Sequence, residues 1–404
     1  MSIPAILLGM LNKSQPKPMT REEFIRWFTG FVDGEGNFTL FIDGLRLRAK
    51  FRINLHIDDV AVLHTIKTML GVGKVNVSGN TCVYTISDLT SLKDVLCPLL
   101  FEHGLFTSKW LDFLAFAEGV KYLSSNSSVI TGDALVWAKQ LISSMNSTRT
   151  VYDSTLMLPI VINRFWLLGF IEAEGTFGFK NLSPYFQVGQ HIRSLAVIEA
   201  IRVYIQTLTQ GFTGTYNSVA PVVSSTLNKG TSVMVISVQN VDALYDYLMF
   251  HLLDMPFQTR KGTDFYLWSL VLYMFKWGHA YLQEGRQVVV AIAGFINTGR
   301  YTTSSVVNIL PSLDHIKYVL SLSVPVVRTP DMTQLAISQA IARTASRIVY
   351  IYDKGVLMNE KPYTSYADAQ DAIGIPRTAV VIRRKIDTGK AHLNRYTFYS
   401  TRKC

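Results

Sequence analysis

The spacing of apolar residues changes period several times along the chain, and each change marks an element. Phe24, Trp27, Phe28 and Phe31 recur at helical intervals. Thr20 and Glu23, three apart just ahead of them, form a capping box that starts the helix. Gly30 and Gly34 lie four apart on one face of it. A glycine inside a helix costs about 1 kcal/mol against alanine, so a pair on one face predicts close backbone packing against another helix. Gly36 predicts the helix stop. The period then falls to two. Phe38, Leu40 and Ile42 alternate with Asn37, Thr39 and Phe41, and Asp43-Gly44 predicts a tight turn that sets Ile42 opposite Leu45. From there Leu45, Leu47, Ala49, Phe51, Ile53 and Leu55 form one face of a strand. Arg46, Arg48, Lys50, Arg52, Asn54 and His56 form the other. Helical spacing returns at Val60, Leu63, Ile66 and Leu70. Strands over Lys74–Val77 and Thr81–Ile86, a helix from near Thr90 and a last helix opened by Phe106–Phe113 complete an α+β unit over residues 20–120.

Residues 121–160 turn Ser- and Asn-rich and read as a linker with one short helix over Ala134–Ile142. After it the order repeats over 161–300. Phe28-Thr-Gly-Phe-Val-Asp-Gly-Glu-Gly36 returns as Leu167-Leu-Gly-Phe-Ile-Glu-Ala-Glu-Gly175, with Gly169 and Ala173 again small and four apart. Phe51–Val62 is echoed by Phe186–Val197, and Thr107-Ser-Lys-Trp-Leu-Asp-Phe113 by Thr259-Arg-Lys-Gly-Thr-Asp-Phe265. A duplication of this kind predicts a pseudo-twofold pair with equivalent faces meeting. That would bring Glu35 and Glu174 together. The second outer sheet face (Lys180, Tyr185, Gln187, His191) is less basic than the first, so whatever the two halves read is asymmetric. Residues 301–346, with Pro311, Pro325 and Pro330, read as a connector. Over 347–404, Ile348–Tyr352 predicts a strand and Asp353-Lys-Gly355 its turn. Ser365 and Asp368 cap a helix over Tyr366–Ile373, and Pro376 opens a second helix through Ile386. That outline is helix-turn-helix, with Arg377, Arg383, Arg384 and Lys385 on the second helix.

Composition narrows the class. With 404 residues, 49% of them hydrophobic and 17% charged, the chain can build several cores and is not a disordered one. The net charge is +10, and residues 341–404 hold 12 Lys and Arg against 5 Asp and Glu. That excess, with four cations and no acid along one strand face, points to a polyanionic partner. Three scattered cysteines fit neither a disulfide framework nor a zinc site, and suit a reducing compartment. No apolar run reaches membrane-spanning length, so no membrane partner is expected. Met1–Met10 is apolar but lacks the charged region and cleavage site of a signal peptide.

The two nonapeptides, each followed by a basic or amide-lined strand and a Thr-x-Lys…Asp-Phe element, resemble the LAGLIDADG homing endonucleases in their two-motif, single-chain form. The resemblance extends to the Gly278-His…Glu284-Gly…Asn297 stretch, similar to the closing segment of organellar members. It implies two pseudo-twofold α+β domains whose saddle-like antiparallel sheets lie on double-stranded DNA, with the motif helices at the interface. Carried over by position, Glu35 and Glu174 are the catalytic acids and bind a divalent metal, Mg²⁺. Lys109 and Lys261 are the cations near the cleavage centre, with Arg260 and Lys180 as alternatives. Asp33 and Glu172 do structural work by capping or interface hydrogen bonding. Arg46, Arg48, Lys50, Arg52, Asn54, Lys180 and Gln187 face DNA. The 347–404 region resembles the modular DNA-binding repeats attached to intron-encoded nucleases, through Ser365-Tyr-x-x-Ala369 and Asn394-Arg-Tyr-Thr-Phe398, and Arg377, Arg383, Arg384 and Lys385 are its DNA contacts. The expectation is a monomeric, site-specific endonuclease that promotes intron mobility, made in a mitochondrion, with a plastid as second choice. The alternative is a maturase that helps a host group I intron RNA splice, alone or alongside cleavage. A transcription regulator built on the same fold is a third reading, with no need for both carboxylates.

Overall fold

Helix α1 (Arg21–Glu35) begins where the Thr20 hydroxyl accepts the Glu23 N–H and the Glu23 carboxylate accepts the Thr20 N–H. It ends by running straight into a strand. Gly36 is extended, with φ −67°, instead of forming the left-handed stop its identity predicts. Glycine is needed there for space, because a Cβ would lie 2.6 Å from Val32 Cγ1 and 2.8 Å from the Val32 carbonyl oxygen. Strands β1 (Gly36–Asp43) and β2 (Arg46–His56) pair antiparallel with Ile42 opposite Leu47 and Asp43 opposite Arg46. The turn is therefore Gly44-Leu45, not Asp43-Gly44. Gly44 takes φ +60° at its first central position, which only glycine adopts cheaply, and Leu45 is left in the exposed turn. The slip is two residues, so every side chain keeps its predicted face.

The chain is described by a computed structural model covering residues 18–209, 223–228, 230–296, 309–324 and 348–403. Of these, 18–324 make one compact unit and 348–403 a second. In the first, α2 (Val60–Leu70), β3 (Lys74–Ser78) and β4 (Thr81–Ile86) complete a sheet ordered β1-β2-β4-β3. A helical run over 89–103, loosened by a π turn at Leu92–Leu96, leads to α3 (Lys109–Ser125). Residues 121–160 are folded onto this sheet. The Leu47 N–H donates to the Ser128 carbonyl and the Ile130 N–H to the Leu45 carbonyl, each at 2.8 Å. Helix α4 (Gly132–Ser143) covers the predicted short helix and buries Ala138 and Leu141.

The second half runs through α5 (Arg164–Glu174), β5 (Gly175–Lys180), β6 (Ser183–His191), α6 (Leu195–Leu208), β7 (Val223–Leu227) and β8 (Val233–Val238). Its sheet order, β5-β6-β8-β7, repeats that of the first. A helical run over 241–253 leads to α7 (Lys261–Trp277), the counterpart of α3. Helices α8 (Gln283–Phe295) and α9 (Leu313–Ser321) follow. Met1–Met10, Asn297 and all of the 301–346 connector except 309–324 lie outside the described residues. One continuous hydrophobic core, including the fully buried Trp27, Phe28, Phe51, Trp166, Phe170 and Trp268, runs through both halves.

The second unit builds a three-stranded sheet, ordered β10-β9-β11, from β9 (Tyr350–Asp353), β10 (Val356–Leu357) and β11 (Tyr396–Tyr399). Two short helices, α10 (Tyr366–Asp371) and α11 (Val381–Lys385), pack on it around Val349, Ile351, Ala369, Ile382, Ile386 and Phe398. Ser365 caps α10 as expected, accepting the Asp368 N–H at 3.0 Å. The second helix starts at Val381, five residues after Pro376. The buried amide of Gln370 donates to the Pro376 and Ala379 carbonyls and holds 376–380 as a turn.

Candidate active site and nucleic-acid interface

The small residues of α1 and α5 are where the two halves meet. A Cβ on Gly30 would lie 2.0 Å from the Trp166 carbonyl oxygen, and one on Gly169 would lie 2.0 Å from the Trp27 carbonyl oxygen. A Cβ on Gly34 would sit 2.2 Å from Ala173 Cβ and 3.2 Å from Glu174 Cγ. Backbone therefore rests on backbone at Gly30 and Gly169, Gly34 admits the small side chain of Ala173, and the tips carrying Glu35 and Glu174 lie side by side. The contact is pseudo-symmetric in its hydrogen bonds too. The Trp27 indole donates to Glu172 at 2.6 Å, and the Trp166 indole donates to Asp33 at 3.1 Å.

Asp33 and Glu172 also cap the helices that carry the lysines. Asp33 accepts the Phe106 and Thr107 N–H groups at 2.9 Å and the Thr107 hydroxyl at 2.6 Å, just ahead of α3. Glu172 accepts the Gln258 and Thr259 N–H groups at 2.8 and 2.6 Å and the Thr259 hydroxyl at 2.7 Å, just ahead of α7. Both carboxyls are buried, and desolvation pushes their pKa up against these bonds. The structural role expected for them holds. The two tryptophans that join each cap to the opposite half had no signal beyond their place on an apolar helix face.

With α3 and α7 so anchored, Lys109 reaches the Gly34 carbonyl at 2.6 Å and Lys261 reaches the Gly175 carbonyl at 2.5 Å. Desolvation pushes both ammonium pKa values down. Asp33, Glu174 and Glu35 pull Lys109 back up, and Glu172, Glu174, Asp264 and Glu35 do the same for Lys261. Each lysine thus feels both motif glutamates. Glu174 is raised by its own burial and by Glu35, and lowered by Lys109, Lys261 and a 2.9 Å hydrogen bond from Gln190. The structure brings Glu35, Glu174, Lys109 and Lys261 into one cluster. Gln190 was missed in the sequence, where it stands opposite Leu55 in the echo of Phe51–Val62. An amide replacing an apolar residue on the strand behind a motif acid was the available signal.

Of the alternatives to the lysines, Lys180 is exposed at the far end of β5. The Arg260 guanidinium meets Asp58 at 2.9 Å. Arg46, Arg48 and Asn54 are exposed on β2, with Lys50 and Arg52 half-buried. Arg48 lies 3.8 Å from Asp43, Lys50 stands over the Phe41 ring, and Arg52 donates to Asn37 at 3.3 Å. Gln187, half-buried on β6, donates weakly to Ser237 at 3.4 Å. In the second unit, Arg383 and Arg384 are exposed on α11. Arg377 precedes that helix and is paired with Asp371 at 2.5 Å, while Lys385 donates to the Ala391 carbonyl. The four predicted contacts of this unit therefore do not share one helix face. Among the described residues no three of His, Cys, Asp and Glu gather into an enclosed metal site, and no helix is long and apolar enough to cross a membrane.

The paired acids at the tips of two abutting helices, each followed by a four-stranded antiparallel sheet, define a duplicated α+β fold. Residues 28–120 match the model of the LAGLIDADG endonuclease family. The fold is similar to LAGLIDADG homing endonuclease I-GzeII, solved in complex with its DNA target, with TM-score 0.58 and 21% identity over 68% of this chain and 99% of that one. It is equally similar to the meganuclease I-SmaMI, solved bound to an uncleaved DNA target with calcium ions, with TM-score 0.58, 19% identity and the same coverage. Uncharacterized mitochondrial protein RF1 of Saccharomyces cerevisiae is 23% identical over 97% of this chain and 84% of its own length. "Probable intron-encoded endonuclease 3" of Neurospora crassa is 26% identical over 45% of this chain, which spans only 38% of that relative. The chain thus has the fold of the LAGLIDADG homing endonucleases, and residues 28–120 match the model of that family.

Proposed function

We propose that this chain is a site-specific double-strand DNA endonuclease that hydrolyses one phosphodiester in each strand and promotes the mobility of an intron. The observation that carries the reading is the contact at Gly30 and Gly169, which sets Glu35 beside Glu174 with Lys109 and Lys261 in the same field. The donor set suits a hard divalent ion such as Mg²⁺, because two carboxylates leave most of its coordination sphere to water and phosphate oxygens. Glu35 and Glu174 would hold it, and its chemistry there is to acidify a water and neutralise charge on the leaving oxygen. Lys109 and Lys261 place positive charge where the scissile phosphates gain negative charge. Asp33 and Glu172 hold those lysines in place through the helices that carry them.

Arg46, Arg48, Lys50, Arg52 and Asn54 bind one half of the duplex through phosphate and base contacts. Lys180 and Gln187 serve the other half, which fits an asymmetric target read by a monomer. The 347–404 unit adds contacts through Arg383 and Arg384, with Arg377 and Lys385 freed only if their present partners let go. Mitochondrial action accords with the Saccharomyces relative, and the naming of relatives as endonucleases favours cleavage over the maturase role. In the test, purified protein with Mg²⁺ linearises a plasmid carrying the intron-less junction, and Glu35→Gln binds it without cutting. Cutting that survives Glu35→Gln/Glu174→Gln sinks the mechanism. Splicing of a host intron that needs the chain but not these acids would make the maturase its role.

A further inference from the structure

The two halves cap each other's lysine helices, and they do so unequally. The Arg260 N–H, at the start of α7, donates to Asp59 of the first half at 2.7 Å, and the Arg260 guanidinium meets Asp58 at 2.9 Å. Asp58 and Asp59 directly follow β2, the strand with the basic face, and the His56 ring that ends β2 lies 3.2 Å from Asp58. One cavity is lined by Glu35, Asn54, His56, Asp59, Glu172 and Thr259, so this loop shares a cavity with Glu35 and with the capping acid Glu172. At the pseudo-symmetric position the Ser108 N–H, at the start of α3, donates to the Ser194 hydroxyl at 3.1 Å. Arg193, the counterpart of Asp58, instead covers the ring of Tyr152 in the 121–160 segment, 4.4 Å from its centre.

We propose that Asp58 and Asp59 are positioning residues for Lys261, tying the second-half lysine to the first half's DNA-facing strand, so that the two cleavage centres are not equivalent. A charged acceptor on an N-terminal N–H, with an ion pair one residue from Lys261, sets the start of α7 more firmly than a neutral hydroxyl sets that of α3. Engagement of β2 by DNA passes through His56, Asp58 and Arg260 to Lys261. The loop after β6 carries Arg193 and Ser194 in place of Asp58 and Asp59, so it offers the start of α3 a neutral hydroxyl and no carboxylate. The strand cut at the Lys261 centre therefore depends on both halves.

This inference rests on the endonuclease reading, and the test separates the two. Asp58→Asn/Asp59→Asn keeps the shape of the clamp and removes its charge. Rates are measured on a supercoiled target plasmid and on a linear duplex with each strand end-labelled. The expected result is a roughly tenfold loss in cutting of one strand, the other near wild type, with nicked circles accumulating and DNA affinity unchanged. Ser194→Ala is expected to leave that same strand unaffected. Equal slowing of both strands, as from simple destabilisation, or no slowing of either, overturns the clamp while leaving the endonuclease reading standing. Wild-type protein that cuts neither strand overturns both.

Discussion

Gly30→Ala tests the helix contact on which the site depends. The added Cβ would stand 2.0 Å from the Trp166 carbonyl oxygen and 2.8 Å from its carbon, both backbone atoms of α5. Ordinary contact begins near 3.4 Å, so α1 and α5 must part by about 1.4 Å to admit it. On its own helix alanine is worth about 1 kcal/mol over glycine. Against that, overpacking costs about 1–3 kcal/mol, and a gap of an ångström forfeits up to about half the dispersion energy of the atoms along it. With backbone atoms on both sides of the clash the cost falls at the upper end of that range, and the net expectation is a loss of about 2 kcal/mol in urea denaturation. Cleavage falls further, by about 100-fold, because Glu35 and Glu174 ride on the separating tips. Gly119→Ala is the control. It too lies inside a helix, but the nearest atoms to its Cβ would be those of the Leu40 side chain, the terminal methyls at 2.5 and 2.8 Å and Cγ at 3.3 Å, which can turn aside. A Gly30→Ala protein as stable and active as wild type would refute the close packing and with it the joining of the two acids.

Further outcomes follow from the caps, the charges and the basic face. Asp33→Ala strips acceptors from the Phe106, Thr107 and Trp166 N–H groups and should lower stability by about 3 kcal/mol in urea titration, with Asp33→Asn milder. Lowered lysine pKa values and a raised Glu174 predict a bell-shaped pH–rate profile, narrower on both sides than unperturbed Lys and Glu would give, measured under single turnover. For stability the sign is separate. Asp33, Glu172 and Glu174 bind more protons folded than unfolded above the ordinary carboxylate range, so their contribution is present below the unfolded pKa and lost as pH rises through the folded one. Neutralising each of the three by amide substitution should flatten that part of the urea-midpoint profile. Alanine at Arg46 or Arg48 should reduce the salt dependence of DNA binding by a slope of about 0.9 per phosphate contact removed, with smaller effects at Lys180.

The sequence by itself determined the local elements and their pairing into two copies. Helix caps at Thr20 and Ser365, alternation along β2 and small residues four apart act over a few residues, and each has one backbone that satisfies it. Repetition then made Glu35 and Glu174 equivalent. Only the tertiary structure decided which groups meet across the chain. Trp27 and Trp166 are plain core residues until each finds the buried carboxylate of the other half. Gln190 is one amide among several until β6 brings it to Glu174. Two turns also escaped local reading, for the same reason. Gly44-Leu45 was chosen by which pairs close the ladder, and 376–380 by the carbonyls that the buried Gln370 amide requires. Periodicity records what a segment hides from water. It does not record the partner it hides against, and the lysines, caps and clamp of this site are all settled by partners.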